Sequence, residues 1–245
     1  MTMTNPTATP WLLRHFGAVV AAVVLAKLLL AWWLPLTGDE AYFVQWGRHP
    51  DYGYYDHPPM VGWWLSLLLL FGDSVLWLRL PGIVATLLPA ALLYWLFRRE
   101  DPQQAKLLAL LALFLPLFLI GVLVTTDTPL IVLGLLATVA MWQGVRSGGA
   151  GWFLLGGVLL GLAFLSKYFA ALLGIALLLH VLLFERARWR GVLLVVAGAL
   201  PAIALNLYWN QQHCWYNLMF NLVNRHGDDG GGLANVPVYL GTLAY

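Results

Sequence analysis

A chain of 245 residues carries only 13 basic and 11 acidic side chains, and several of these stand where charge is costly. Asp39 and Glu40 follow directly on a long apolar run. Asp127 lies in Thr125-Thr126-Asp127-Thr128-Pro129 before another, and Lys167 lies in Ser166-Lys167-Tyr168 between two more with almost no loop. Charges held this close to hydrocarbon are expensive unless paired or used. A carboxylate at a membrane edge has the chemistry of a general base, and a lysine beside it that of a cation steadying developing negative charge. Two carboxylates and a lysine drawn from three different spans therefore make a candidate reaction centre. The competing reading makes Asp39 and Glu40 a solvated cap, since Thr37 can start a helix whose first turn favours anions.

The elements that must position these residues are transmembrane helices. The chain is 61% hydrophobic and 10% charged, with a mean hydropathy of +0.79; a soluble domain is about half apolar and about a quarter charged. That excludes a soluble globular protein, a disordered chain and a nucleic-acid binder, and points to an all-α integral membrane protein. Cys214 stands alone, so neither an internal disulfide nor a cysteine-rich metal site is available. A span needs about 20 mostly apolar residues. Seven segments qualify or nearly so: 15–36, 74–97, 105–124, 129–145, 152–166, 168–184 and 191–209, with an eighth beginning at Val236. The first reads as an uncleaved anchor, because Trp32-Trp33-Leu34-Pro35 offers no small-residue cleavage pattern. The whole of 1–245 reads as the N-terminal transmembrane part of something longer.

Orientation follows from Lys and Arg in the short loops. Alternating the spans places Arg14, Arg98, Arg99, Lys106, Arg146, Arg186, Arg188 and Arg190 on one side, which is then cytoplasmic. Arg48, Arg79, Lys167 and Arg225 fall on the other side, and Lys27 inside the first span. Eight of the 11 carboxylates gather on that outer side: Asp39, Glu40, Asp51, Asp56, Asp73, Asp127, Asp228 and Asp229. The positive-inside rule does not require such an acidic bias, so it is separate support for an outward-facing polar site. The expected location is the inner (plasma) membrane, multi-pass, with the active face extracytoplasmic. Gly230-Gly231-Gly232 reads as outer loop rather than a nucleotide loop, with no strand before it and no phosphate-binding helix after it.

Residues 37–73 are the most informative loop. Tyr42, Phe43 and Trp46 give the helix that Thr37 starts an aromatic face suited to the membrane interface. Asp56 is placed to cap a second helix, with Pro58 in its first turn. The apolar run Met60 to Phe71 is too short to span, so 58–71 is expected to lie at the outer interface.

The run DEAYFVQWGRHPDYGYYDHPPMVGW, beginning at Asp39, resembles the first periplasmic loop of bacterial family 39/83-type glycosyltransferases. These are relatives of the protein O-mannosyltransferases and the lipid A aminoarabinose transferase. TTDTPLIV at 125–132, GLAFLSKYFA at 161–170 and PAIALNLYWNQQHCWYNLMF at 201–220 are similar to further segments of that family, in the same order. The resemblance implies a GT-C-type multi-helix bundle that takes sugar from a polyprenyl phosphate at the outer membrane face. It implies Asp39 as catalytic base and Glu40 as its companion, orienting the acceptor or helping to bind metal. Asp127 and Lys167 match the family's corresponding positions. Family members usually continue for several more spans.

Transfer from a lipid phosphate needs a base for the acceptor hydroxyl and positive charge for the departing phosphate. Lys167 fits the second role, with Arg79 and Arg225 behind it. A single base in line with the leaving group gives inversion. Adjacent helix residues point about 100° apart, so Asp39 and Glu40 do not flank one sugar. Tyr54, Tyr55, Asp56 and His57 are further candidates to line a substrate site, although His57 also suits a plain helix start before Pro58. Glu40, Asp127, His57 and His213 are donors for a divalent metal ion, but without paired ligand spacing such as His-x3-His. His213 also reads as ordinary loop, and Lys27 and His180 as structural. The expected partners are a polyprenyl-phosphate-linked sugar, the bilayer, and an acceptor that is lipid, protein or polysaccharide. Two rivals stay open: a transporter or flippase, which calls for two related halves and a midplane site, and a non-catalytic lipid-binding fragment.

Overall fold

The computed structural model describes residues 10–223, apart from 117, 119 and 120, and every regular element among them is helical. In chain order these are α1 (Trp11–Arg14), α2 (Phe16–Trp33), α3 (Gly38–Arg48), α4 (Met60–Leu69), α5 (Val75–Phe97) and α6 (Pro102–Leu113). There follow α7 (Asp127–Ser147), α8 (Ala150–Phe164), α9 (Ala170–Phe184), α10 (Trp189–Gln212) and α11 (Tyr216–Leu222). Helices α2, α5, α7 and α10, the last with the 3-10 turn before it, are long and apolar enough to cross a membrane. Leu25, Leu29, Leu172, Ile175 and Leu193 lie exposed on outward faces, as side chains that meet lipid do.

One expected span takes another form. The segment 105–124 is a 12-residue helix that ends at Leu113. Leu115 precedes Pro116, whose ring disfavours helical geometry in the residue before it, and residues 121–126 contain no α-helix. The segment 58–71, expected at the outer interface and not as a span, contains the 10-residue α4, with Pro59 at its N-cap. Asp56 does not cap it, because the start of α4 is held from elsewhere: Met60 N–H donates to the Leu165 carbonyl at 3.0 Å. At about 1.5 Å per residue α4 is far shorter than a bilayer core of about 30 Å, and Leu67 on it and Leu70 and Phe71 just after it stay exposed.

The far half of the chain is tightly packed, and α8 and α10 run parallel, with Phe153 against Gly191, Gly157 against Val195 and Gly161 against Ala199. Gly148 closes α7 in the left-handed region (φ 71°), turning the chain straight into α8. Helices α8 and α10 pack backbone to backbone. A Cβ on Gly157 would sit 2.1 Å from the Val195 carbonyl oxygen, and one on Gly198 2.5 Å from that of Leu154. Small residues permit such contact, and dispersion rather than hydrophobicity supplies its attraction in lipid. Trp209 near the end of α10 donates from Nε1 to Asp51 Oδ1 at 3.1 Å. That bond, with the Met60–Leu165 bond, brings the ends of α8 and α10 to the same end of the bundle as the loop 37–73.

Candidate active site

Glu40 is where the helix cap and the candidate site meet. Thr37 accepts from Glu40 N–H at 3.3 Å, and Glu40 Oε2 accepts from Thr37 N–H at 3.1 Å, a reciprocal capping box. The same carboxylate, 3% exposed, receives Arg79 side on: Nε to Oε1 at 2.8 Å and Nη2 to Oε2 at 2.6 Å. Arg79 is fully buried, and its remaining N–H groups donate to the carbonyls of Ala31, Leu34 and Pro35 at 2.8–2.9 Å. Desolvation pushes the Glu40 carboxyl up, but the hydrogen bonds from Arg79 and Thr37 and the guanidinium charge outweigh it and hold the group below its ordinary value. Glu40 and Arg79, both expected at the substrate, thus join the end of α2, the start of α3 and α5 through a buried pair. Asp39, one residue earlier, is exposed, and its side chain makes no hydrogen bond or ion pair among the described residues.

The chain from 121 to 127 continues from that pair. Val124 N–H donates to Glu40 Oε1 at 3.3 Å. Three residues back, the Gly121 carbonyl accepts from Lys27 Nζ at 2.9 Å and from Thr86 Oγ1 at 3.1 Å. Lys27 is 1% exposed and donates also to Thr86 Oγ1. The segment can lie against α5 because Gly82 has no side chain: a Cβ there would be 2.5 Å from the Leu123 carbonyl oxygen. Non-helical backbone at membrane depth survives only where protein groups satisfy it, and here Lys27, Thr86 and Glu40 do so. At the end of this segment Asp127 opens α7, its N–H bonded to Thr125 Oγ1 at 3.2 Å. Lys167 Nζ reaches both Asp127 oxygens at 2.9 Å, with 23% of the lysine and 48% of the aspartate side chain exposed. The two residues, one opening α7 and the other between α8 and α9, are therefore in direct contact at the loop end, within reach of solvent.

The loop itself is a stack of rings and amides. Trp46 and Tyr54 lie parallel, centroids 4.1 Å apart, and the Tyr54 hydroxyl donates to the Trp46 carbonyl at 3.0 Å. Burial raises the pKa of that phenol. Asp51 takes the Trp209 indole on its carboxylate and the Trp63 indole on its carbonyl, the latter at 2.8 Å. Asp56 accepts from the Tyr42 hydroxyl at 3.2 Å and has His57 Nδ1 3.2 Å away. Burial alone raises its carboxyl, but the imidazole beside it and the Tyr42 bond hold it below the usual range. Tyr55 is half exposed, its ring against Phe220 and Tyr216.

Four asparagines escape a reading that looks only for charge. Asn206 and Asn210 on α10 and Asn217 on α11 are buried, and Asn221 is half-buried. Tyr168, the neighbour of Lys167, places its hydroxyl between the Asn206 and Asn217 side-chain carbonyls. Asn217 Nδ2 donates to the Tyr54 carbonyl at 2.6 Å, and Asn221 Nδ2 to the Asp56 carbonyl at 2.9 Å. Their signal was available: amides recurring in an apolar segment call for partners.

His213 stacks on Trp209 at 4.1 Å with Nδ1 2.8 Å from that residue's carbonyl oxygen. It therefore faces its own helix. Among the described residues no three His, Cys, Asp or Glu side chains gather as a metal centre requires, so the donors Glu40, His57, Asp127 and His213 do not make one set. Arg225, Asp228, Asp229 and the segment from Val236 lie outside the described residues. A groove of about 720 Å³ runs along α2, lined by apolar side chains and Lys27 and by none of the other residues named here as candidates.

Comparison with known proteins shows which family the chain falls in. The chain is 30% identical over 181 residues to the lipid A galacturonosyltransferase RgtD of Rhizobium johnstonii, covering 71% of this chain and 38% of that protein. It is 33% identical over 178 residues to the undecaprenyl phosphate-α-4-amino-4-deoxy-L-arabinose arabinosyl transferase of Pseudomonas aeruginosa, covering 66% of this chain and 32% of the other. The same enzyme of Edwardsiella ictaluri is 30% identical over 168 residues, with coverage of 63% and 30%. The chain thus spans about a third of the length of these relatives. No solved structure matches it. The sequence model described as dolichyl-phosphate-mannose-protein mannosyltransferase matches residues 56–209, from the Asp56 side of the first loop to Trp209 at its anchor. With more than half of its length matched, the chain belongs to that glycosyltransferase family.

Proposed function

We propose that these residues form the N-terminal part of a membrane glycosyltransferase that moves a sugar from a polyprenyl-phosphate donor to an acceptor hydroxyl on the extracytoplasmic face, with inversion. The observation that carries this reading is the Asp127–Lys167 pair: two bonds of 2.9 Å, solvent-accessible, at the end of the bundle that bears Asp39. An ammonium has three donors. Two are turned to one carboxylate, which fixes the lysine and leaves a face for a phosphate oxygen. The acceptor oxygen bonds to the anomeric carbon as the bond from that carbon to the phosphate oxygen breaks. Asp39, exposed and without a partner among the described residues, takes the hydroxyl proton. The polyprenyl phosphate departs with the electron pair, its growing charge met by Lys167. Tyr55, Asp56 and His57 line the approach of the substrate. The relatives named above act on undecaprenyl-phosphate aminoarabinose or on lipid A, which favours a lipid-phosphate sugar as donor and an envelope lipid as acceptor.

The test is transfer from a radiolabelled polyprenyl-phosphate sugar, using membranes that carry this chain alone or a longer form. Asp39→Asn should lower transfer by about two orders of magnitude or more, the scale of a positioned base, and leave the protein's amount and melting unchanged. Wild-type transfer by this variant refutes the catalytic assignment. Donor binding without any transfer, in either form, leaves the lipid-binding reading in its place.

A further inference from the structure

The first loop and Lys167 come from distant parts of the chain, and the bonds between them run through α11. That short helix follows a turn in which Cys214 (φ 53°) and Trp215 (φ 61°) both adopt left-handed backbone without being glycine. Such conformers persist only where surrounding bonds over-determine them. Here they do: Trp215 N–H donates to the Asn210 carbonyl at 2.8 Å and Leu218 N–H to Asn210 Oδ1 at 3.1 Å. The turn folds α11 back so that Asn217 and Asn221 reach two carbonyls of the loop, at Tyr54 and Asp56. On its other edge Asn217 meets the hydroxyl of Tyr168, adjacent to Lys167. One amide thus touches the loop with its nitrogen and the lysine's neighbour with its oxygen.

We propose that Asn217, Asn221 and Tyr168 are positioning residues, a clasp that sets the Tyr54–His57 stretch against Lys167 for transfer. The inference rests on the transfer reading above, since it names what aligns that same site. None of the three touches the reacting atoms. Their effect is alignment, and misplacing reacting groups by about 1 Å costs up to about a hundredfold in rate. A merely structural clasp would instead lower stability and leave turnover per folded molecule intact.

The experiment measures kcat and donor KM in the longest natural form, normalised to folded protein. Asn221→Ala, at a half-buried position, and Tyr168→Phe should each lower kcat by about tenfold to a hundredfold while donor KM moves less than about threefold. Asn217→Ala should do at least as much. Tyr168 and Asn221 share no hydrogen bond with each other, but both bear on the same stretch of loop, Tyr168 through Asn217 on Tyr54 and Asn221 directly on Asp56. The double variant should therefore fall well short of the product of the two singles. Asn217→Asp keeps the acceptor for Tyr168 but loses the donor to Tyr54, and should match Asn217→Ala if the loop contact is what matters. Unchanged kcat in both Asn221→Ala and Tyr168→Phe overturns the proposal, as does a lowered melting temperature with kcat intact. A second readout is independent of transfer. In a Cys214→Ser background, maleimide labelling of Met60→Cys, at a buried position just after the loop stretch, should speed up several-fold when Asn217 or Asn221 is replaced. Absence of transfer in the wild type with that acceleration present removes the function but keeps the clasp, and unchanged labelling removes the clasp.

Discussion

Arg79→Met would remove a guanidinium that makes five hydrogen bonds: two to Glu40, and one each to the carbonyls of Ala31, Leu34 and Pro35. Glu40 would stay buried at 3% exposure with only Thr37 and Val124 as partners. Breaking a buried pair by removing one member costs about 3–5 kcal/mol, and each stranded carbonyl adds to that. With about 2–4 °C per kcal/mol for a chain of this size, a loss of about 4 kcal/mol lowers the melting temperature by about 8–16 °C. Arg79→Lys keeps the charge but has only three donors on one atom, so at least two of the five bonds go; at about 1 kcal/mol or more each it should fall between. The double variant Glu40→Gln with Arg79→Met removes the stranded charge and should be milder than the sum of the singles by about 2–3 kcal/mol. Melting of the purified protein in detergent reads all of these. A shift under about 2 °C for Arg79→Met, or a double variant that simply adds, refutes the account of this pair as what joins α2, α3 and α5.

Lys167→Met should cost little stability, since a half-exposed pair is worth about 0–1 kcal/mol, but it should both weaken donor use and cut turnover; loss of fold without loss of donor discrimination would argue against it. Acid should loosen the α2–α3–α5 junction, with the sign set by Glu40. Its folded pKa is depressed, so its contribution is complete above the ordinary value of 4.5 and is lost as pH falls through the folded value. Melting temperatures taken from pH 6 downward should therefore begin to fall at about pH 4.5, and Arg79→Met, already without the pair, should show a shallower acid limb. Lys27→Met should leave the Gly121 carbonyl with the Thr86 hydroxyl alone and destabilise by about 1–3 kcal/mol, with faster proteolysis near residue 121 as the local signature; unchanged cleavage there would sink the role given to Lys27.

Charge placement made much of this legible. The acidic bias of one side and the alternation of spans placed Asp127 and Lys167 at a common end, and they lie in contact. Thr37 read as a cap and closes a full capping box. What the residues did not disclose was which charge answers which. Arg79 read as a spare cation for a phosphate, because loop-side arginines are counted by side and not by depth; it lies four residues inside α5, where burial compels a partner. The end of α6 was written in Leu115-Pro116, but unbroken apolarity through 124 outweighed one proline in a reading by hydropathy. The asparagines were missed because their use depends on a turn in which Cys214 and Trp215 take left-handed backbone, and neither residue type announces it.

The two buried cations share one purpose. Lys27 fixes the Gly121 carbonyl and Arg79 fixes Glu40, which in turn fixes Val124 N–H. Between them the chain crosses, without α-helix, a depth at which an irregular backbone would otherwise leave its polar groups unanswered. An ordinary span through 124 would satisfy those groups at no cost in buried charge. The irregular path delivers Asp127 at the start of α7, three residues beyond Val124, on the side where Glu40 turns its carboxylate inward and leaves Asp39, next along the helix, facing out. Lys27 and Arg79 therefore bear on the proposed site through backbone that they hold in place, and conservative changes at either should act on alignment before they act on charge.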